Sequence, residues 1–404
     1  MLTKEFKKYF SYFVFVVLGF FPFIDYFIRK FNLPFSNLWD DAFIALTFLV
    51  SLFVGAKKIK KLLNNPTFLF AVLFLSMSLF SLYFNNYSIF IYINEARILF
   101  EPFFIYVAIL LLEPEKEEIH FFIKSFVLSC CLLSLHGMYQ YITKVPTPPE
   151  WVDKDLEGGV ITTRAFSILR GPNILGDYLE LSLPLPLIYL FKEKSQLKKA
   201  LWAIPFLVIG GGLIVTLSRS AWISSAFSIF VSAFWLSHLL GIIVILVAGM
   251  LLVFVKPIRI RILSLFTRTY LEKSMGSGGR IYQWTSGIIN TSEHPLLGTG
   301  LGTYGGVASY SYGFVARRSI DSAYIKVLSE TGWLGFISFV PWVSWGVGSI
   351  LTRFRDEKDV IFLFIGAGLL AFLLNLFTQN IFIAMGQGTA VFWALTAVGI
   401  VYHN

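Results

Sequence analysis

Residues 200–255 read ALWAIPFLVIGGGLIVTLSRSAWISSAFSIFVSAFWLSHLLGIIVILVAGMLLVFV. This stretch holds three successive apolar runs, at 200–217, 220–237 and 239–255, and a helix needs about 20 such residues to cross the hydrocarbon core of a bilayer. A segment inside lipid must satisfy its backbone hydrogen bonds internally, as an α-helix does. The stretch therefore predicts an all-α integral membrane protein.

The composition of the whole chain agrees with this prediction. The 404 residues are 56% hydrophobic and 14% charged, whereas an ordinary soluble domain has about 25% charged residues. Membrane helices bury their apolar runs in lipid, so a chain of this length needs no division into soluble domains. We expect a single polytopic membrane domain over residues 1–404.

The remaining apolar runs give the number of membrane spans. Together with the three runs above, they predict about 12 transmembrane helices. These further runs lie at 9–28, 37–55, 66–84, 98–113, 119–142, 174–191, 332–350, 360–383 and 386–402.

The positive charges predict the orientation in the membrane. The net charge of +9 does not indicate a nucleic-acid partner here, because lysine and arginine of membrane proteins gather in cytoplasmic loops. With a cytoplasmic N-terminus, the short outer connections hold only Arg29, Lys30, Arg97 and Arg219. The excess on the inner side predicts that both termini are cytoplasmic. The inner loops hold Lys4, Lys7, Lys8, Lys57, Lys58, Lys60, Lys61, Lys116, Lys192, Lys194, Lys198, Lys199, Arg353, Arg355 and Lys358.

Two long connections, at about 143–173 and 256–320, fall on the predicted outer side. Long loops often carry function. The basic residues of the second loop, which include Arg259 and Arg261, favour an anionic partner. Its first part, 256–273, also mixes arginine with apolar residues in a pattern typical of an amphipathic helix that binds membrane lipids at the headgroup level. Both interpretations stay open.

Three outer segments place an ionisable residue where it could act chemically. Arg219 lies between two apolar runs, where it either reaches the lipid headgroups or binds an anionic ligand. Arg280 follows Gly278 and Gly279, so its guanidinium and nearby backbone N–H groups could converge on phosphate oxygens, although loop glycines also form plain turns. Asp321 could accept a proton from an attacking hydroxyl or cap the helix that follows.

Several common chemistries have no motif in this sequence. The chain has no HExxH, CxxC, Walker lysine or Gly-x-Ser-x-Gly pattern. Cys130 and Cys131 are adjacent inside an apolar run, and the few histidines are scattered. The segment Gly300-Leu-Gly302-Thr-Tyr-Gly305 has the spacing of a dinucleotide-binding turn but no preceding strand. We expect neither a metal site nor a cofactor.

Four segments, taken in order, resemble the O-antigen ligase/polymerase family of lipid-linked glycan transferases. The similarity spans about residues 160–340, and its most specific part is the pairing of a His-Pro-Leu-Leu-Gly-x-Gly element with a later Glu-x-Gly-x-x-Gly element. The segments are Arg164…Gly171-Pro-Asn173, Ser218-Arg219-Ser220, Gly279-Arg280…Trp284…His294-Pro-Leu-Leu-Gly298-Thr-Gly300, and Asp321-Ser-Ala-Tyr324…Glu330-Thr-Gly332…Gly335.

The resemblance implies an inverting glycosyl transfer at the periplasmic face of a bacterial inner membrane, without a metal ion. The donor would be a glycan on undecaprenyl pyrophosphate, and the acceptor would be lipid A-core or a related glycan. Carried over to this chain, Arg219 and Arg280 would bind the diphosphate, and Asp321 would activate the acceptor hydroxyl. The resemblance also gives five candidate substrate-binding residues, which are Arg164, Asn173, Tyr282, His294 and Tyr324.

One residue departs from the family pattern. Ligases of this family typically have histidine at the position of Asp321, and aspartate is ordinarily the weaker base. The choice between a ligase and a polymerase of the same family therefore stays open. A transporter of lipid-linked glycans or anionic solutes would also supply twelve spans and a basic path. It would need charges near mid-membrane, whereas the residues named above lie at the outer boundary.

Overall fold

A computed structural model describes residues 4–148, 151, 163–305 and 320–402 of the chain. Every regular element among these residues is helical, as the apolar composition predicts. The helices are α1 (Lys4–Gly19), α2 (Phe21–Lys30), α3 (Trp39–Val54), α4 (Ile59–Leu63), α5 (Pro66–Asn85), α6 (Ile89–Phe100), α7 (Phe103–Leu112), α8 (Lys116–Ile142), α9 (Pro172–Ser182), α10 (Leu185–Lys192), α11 (Gln196–Val215), α12 (Arg219–Leu236), α13 (His238–Phe254), α14 (Lys256–Leu263), α15 (Arg268–Met275), α16 (Arg280–Glu293), α17 (Ala323–Glu357), α18 (Val360–Asn375), α19 (Ile381–Met385) and α20 (Ala390–Val401).

Several of these helices are long and apolar enough to cross a membrane. Within the described residues there are five by length and composition, namely α5, α8, the segment Pro172–Lys192, α11 and α17. The number rises to eight if each of three sharply bent helix pairs is one span, and α7, α18 and α20 are shorter apolar helices. The all-α membrane architecture is thus supported, while the count of twelve spans stays a prediction.

The centre of the bundle is formed by α18 and α20. Every residue from 361 to 369 and from 390 to 399 is buried, as expected for helices that are apolar all round. Both helices are therefore enclosed by protein. The C-terminal end of α18 also holds the start of α17, because the Ala323 N–H donates to the Leu376 carbonyl at 2.9 Å.

The connections predicted to be cytoplasmic meet at one end of the bundle. Their side chains pair with one another across large sequence separations, so the turns before α5, α8 and α11 and the turn after α17 are neighbours. The helices α5 and α11 lead from this end to the opposite end, where α12, α16 and α17 begin. The ion pairs at the basic end join Lys4 to Glu115 (2.9 Å), Lys58 to Glu113 (2.7 Å) and Lys192 to Asp359 (2.8 Å).

The second long loop is largely helical where it is described. Residues 256–293 form α14, α15 and α16, joined by short turns. The expectation of a helix in the basic stretch 256–273 is met by α14 and α15. Residues 306–319 of this loop, and 149–150 and 152–162 of the first long loop, lie outside the described residues.

Candidate functional site

The turn between α11 and α12 presents Arg219. Leu217 in this turn has a positive φ of 52°, which is uncommon for a residue with a side chain. Its carbonyl accepts hydrogen bonds from Nε (3.2 Å) and Nη2 (2.8 Å) of the buried Arg261 on α14. The neighbouring Thr216 carbonyl accepts one from Nε of Arg164 at 3.1 Å. Two guanidinium groups thus fix the backbone from which Arg219 projects.

Arg164 is itself buried, with 6% of its surface exposed. Its Nη1 donates to the Trp151 carbonyl at 3.0 Å, and its Nη2 donates to Oδ1 of Asn173 at 2.8 Å, next to the start of α9. Burial, and after it the positive charges of Arg219 and Arg280, together lower the pKa of Arg164 to about 10. Because both charges act on Arg164, the three guanidinium groups lie near one another.

Arg280 and Asp321 meet directly, although they are far apart in sequence. Arg280 is the first residue of α16, and its Nε lies 3.2 Å from Oδ2 of Asp321. The Asp321 N–H donates to Oε1 of Gln283, one turn further along α16, at 2.9 Å. Both charged side chains remain partly exposed, at 29% for Arg280 and 39% for Asp321. The pair can therefore be reached by a ligand.

Asp321 does not cap α17. The N-cap is Ser322, whose hydroxyl oxygen accepts a hydrogen bond from the Ile325 N–H at 3.3 Å. Of the two roles considered for Asp321, helix capping is thus filled by its neighbour. The Asp321 carboxylate instead forms the ion pair with Arg280.

Arg219 points towards the helices that follow α13. Its Nη1 donates to Oγ of Ser264 at 3.1 Å, and its guanidinium carbon lies 5.0 Å from the centre of the Tyr270 ring. A stacked guanidinium keeps its edge available for bidentate bonds to an anion. The basic stretch 256–273 therefore forms one wall of the site, and not only a solvated surface.

The two most specific sequence elements of the family resemblance pack against each other. The Trp333 N–H donates to the Pro295 carbonyl at 2.8 Å, and the Gly300 N–H donates to the Glu330 carbonyl at 2.7 Å. Gly298 and Gly332 have positive φ values of 63° and 62°, and a Cβ on either would overlap the backbone of the other segment. These glycines permit close backbone contact and a kink in α17.

The structure brings together most, but not all, of the candidate residues. Tyr324 is buried with its hydroxyl donating to the Leu373 carbonyl at 3.2 Å, whereas Tyr282 and His294 are exposed. Among the described residues, no hydrogen bond joins these three to the charged group, so their role in substrate binding stays a prediction. The residues that do form one group, called here the arginine site, are Arg164, Asn173, Arg219, Arg280 and Asp321.

Arg261 is a residue of this region that the sequence reasoning did not single out. It was considered only as part of a basic stretch, yet it is 6% exposed, while Arg259 two positions earlier is exposed. Ile258 and Arg261 are three residues apart and so share one face of α14. In the sequence, this spacing between the apolar Ile258 and Arg261 was therefore the signal that could have predicted the burial of Arg261.

The chemistry open to the arginine site is that of a cationic pocket with one carboxylate. Several guanidinium groups can bind a phosphate or diphosphate by charge-assisted bonds, and a partly exposed carboxylate can accept a proton. Among the described residues, no group of three or more His, Cys, Asp or Glu side chains is arranged to hold a metal ion. The site therefore fits an anionic substrate.

A comparison with known families supports the resemblance found in the sequence. Residues 204–340 match the family model described as O-Antigen ligase. The match covers Arg219, Arg280 and Asp321 and supports an O-antigen ligase family assignment. No curated protein matches the chain.

Proposed function

We propose that this chain, which matches the O-antigen ligase family model at residues 204–340, transfers a glycan from undecaprenyl pyrophosphate to a hydroxyl of lipid A-core or a related acceptor. The reaction takes place at the periplasmic face of the bacterial inner membrane. The observation that carries the proposal is a group of three guanidinium groups beside one carboxylate: Arg164 binds the turn that carries Arg219, the charge of Arg280 acts on Arg164, and Arg280 is paired with Asp321.

The guanidinium groups bind the leaving group of the donor. Arg219 and Arg280 are partly exposed, so their N–H groups can donate to diphosphate oxygens. The buried Arg164 is held by three hydrogen bonds and adds positive electrostatic potential from inside the protein. Negative charge grows on the diphosphate as its bond to the sugar breaks, and fixed cations stabilise that charge more in the transition state than in the ground state.

Donor binding also prepares the base. In the absence of substrate, Asp321 is paired with Arg280 at 3.2 Å. A diphosphate carries more negative charge than one carboxylate, so it displaces Asp321 from Arg280 and leaves that carboxylate free to accept a proton. The acceptor oxygen then bonds to the anomeric carbon, its proton passes to Asp321, and the bond from that carbon to the diphosphate breaks. A single displacement of this kind inverts the anomeric configuration.

The polymerase of the same family is the second candidate. It rests on Asp321, because the residue that contacts the acceptor differs from the histidine of typical ligases. A polymerase would use the same donor site and accept a second lipid-linked glycan. The test is to offer both acceptors to one purified preparation and to identify which becomes extended.

An assay in detergent distinguishes glycosyl transfer from transport. Transport needs a closed membrane with two sides, whereas glycosyl transfer proceeds in micelles containing donor and acceptor. Product formation in micelles would exclude a purely transporting role. Without product from any acceptor in either micelles or vesicles, the proposal fails.

Arg280→Lys tests the diphosphate site. Lysine keeps the charge but cannot reproduce the planar fork of a guanidinium, so we expect the transfer rate to fall by a factor of about 100 to 1,000. The matched control is Arg268→Lys, since Arg268 is exposed and pairs with Glu272 in its own helix. Full activity of the Arg280→Lys protein would remove Arg280 from the mechanism.

A further inference from the structure

A cluster of polar side chains lies buried beneath the arginine site. It consists of Asp177 and Glu180 on α9, Asn375 as the last residue of α18, Gln379 in the turn that follows, and Ser224 on α12. Nδ2 of Asn375 donates to Oδ1 of Asp177 (3.0 Å) and to both carboxylate oxygens of Glu180 (3.1 Å each). Gln379 donates to Asp177 at 2.6 Å, and Ser224 donates to Glu180 at 2.6 Å.

This cluster is unusual for the interior of a membrane protein. Asp177 and Glu180 are fully buried, and in the part of the chain that the structure describes neither carboxylate has an ion-pair partner. Ionisable side chains inside a membrane protein are costly and usually serve a function. Amide and hydroxyl donors offset part of this cost only while the helices stay in register.

Two helices of the cluster, α9 and α12, also carry one residue each of the arginine site. On α9, Asn173 is four residues before Asp177 and so lies on the same face, where it accepts a hydrogen bond from Arg164. On α12, Ser224 is five residues after Arg219, which is about 7.5 Å along a helix. The cluster therefore lies within one or two helical turns of both arginine contacts.

The cluster is also connected to Asp321, through the backbone that follows Asn375. The residue after Asn375 is Leu376, whose carbonyl accepts hydrogen bonds from the Ala323 N–H at 2.9 Å and the Ser322 hydroxyl at 3.5 Å. Ser322 follows Asp321 directly. A shift of the end of α18 would therefore move the backbone that holds the carboxylate.

We propose that Asn375 is a positioning residue: its side-chain amide holds α9 and α18 together, and with Ser224 it keeps Arg164, Arg219 and Asp321 in their catalytic arrangement. The inference deepens the proposed function and rests on it. Asn375 touches no substrate, so it acts through the residues above it. The site needs this support because its guanidinium groups repel one another, and repelling groups stay close only on a rigid frame.

The variant Asn375→Asp tests this role with almost no change in size. It replaces the donor amide by an acceptor and brings a third carboxyl group into the cluster. We expect kcat for glycan transfer to fall at least tenfold. Inorganic pyrophosphate, used as a probe of the arginine site, should bind at least tenfold more weakly in a calorimetric titration of the detergent-purified protein.

The double variant Asn375→Asp with Glu180→Gln provides the rescue. It exchanges donor and acceptor across the same contact, so the glutamine amide can donate to the new carboxylate. We expect it to recover most of the lost kcat and pyrophosphate affinity. Failure of this rescue, while the single Glu180→Gln variant remains active, would count against the proposal.

A control separates positioning from general loss of stability. Asn65 is a partly buried asparagine directly before α5. Its Oδ1 accepts hydrogen bonds from the Phe68 N–H (3.1 Å) and the Tyr106 hydroxyl (2.9 Å). Asn65→Ala removes the oxygen that accepts both bonds, so it should lower the melting temperature without changing kcat. If Asn375→Asp loses activity only to the extent of Asn65→Ala at equal melting temperature, positioning is refuted.

The two readouts also separate this inference from the proposed function. Normal kcat and pyrophosphate binding in Asn375→Asp would overturn the positioning role and leave the transferase proposal intact. Weakened pyrophosphate binding in Asn375→Asp, with no transfer by the unmodified protein to any acceptor, would overturn the transferase proposal alone. If the unmodified protein neither transfers glycan nor binds pyrophosphate, both fall.

Discussion

Among single residues, Asp321 is the one whose possible roles the structure restricts most. Its side chain pairs with Arg280, and the capping role belongs to Ser322. We therefore expect Asp321→Asn to abolish transfer, because an amide cannot accept the proton, while leaving the thermal stability of the protein nearly unchanged. Asp321→His should retain activity, since histidine is the base that the family pattern places there. Rates of transfer in micelles measure both.

Ser322→Ala is the matched control for that experiment. Loss of the N-cap should lower the free energy of unfolding by about 1 kcal/mol, and transfer should continue. If Asp321→Asn and Ser322→Ala behave alike in both stability and rate, Asp321 has only a structural role.

Arg261 gives a second prediction for a single side chain. Replacing it by methionine leaves the buried carbonyl of Leu217 without its two guanidinium donors, and an unsatisfied buried polar group costs about 1–3 kcal/mol. We expect a lower melting temperature and slower transfer, because the turn that carries Arg219 loosens. Arg259→Met, at an exposed position of the same helix, should change neither quantity. Equal effects of the two changes would contradict this account.

Individual residues of the arginine site were predictable to different degrees. Arg219, Arg280 and Asp321 are charged residues next to turns and helix starts, so local sequence marks them. Arg261 and the pair Asp177 and Glu180 owe their burial to helices that are distant in sequence. No local pattern specifies such partners, so the burial of these side chains could not be predicted from the sequence.

Among the elements, the kink of α17 explains in physical terms why glycine stands at position 332. Gly332 has φ 62° and ψ −167°, a combination that is essentially restricted to glycine. Gly332→Ala adds a Cβ that overlaps the Leu296 backbone. We expect a loss of about 3 kcal/mol or more in the free energy of unfolding, from strain and overpacking together.

Gly348→Ala is the control within the same helix. A Cβ at Gly348 meets no atom within 4 Å, and alanine is favoured over glycine in a helix interior by up to about 1 kcal/mol. Thermal unfolding should show this protein to be as stable as the parent or slightly more so. A Gly332→Ala protein of unchanged stability would mean that the two segments do not pack as described.

The region 256–320 shows the limit of prediction for elements. The sequence predicts a loop with one surface helix there. The described part instead forms α14, α15 and α16. These helices have eight to fourteen residues, and helices this short depend on tertiary contacts more than on their own pattern. Arg280 and Asp321 could therefore be named, but their contact could not be derived.

For the whole molecule, hydropathy was enough to predict the all-α membrane class, and charge was enough to group the connections. The structure gathers the lysines of the predicted inner loops at one end of the bundle, whereas the arginine site lies at the other. The number of spans was harder to predict, because bends of 71°, 79° and 94° divide three apolar helix pairs. An apolar run shows length but not direction, so these bends leave no mark in a hydropathy profile.

The two ends give a testable prediction for the topology. In a background with Cys130→Ala and Cys131→Ala, Glu272→Cys reports on the end with the arginine site and Lys57→Cys on the basic end, and both positions are exposed. The proposed orientation puts position 272 outside the cytoplasm. A membrane-impermeant maleimide should therefore label the Glu272→Cys protein in intact spheroplasts and the Lys57→Cys protein only after permeabilisation. The reverse pattern would place the arginine site in the cytoplasm, where a periplasmic acceptor cannot reach it, and the proposed transfer to lipid A-core would have to be given up.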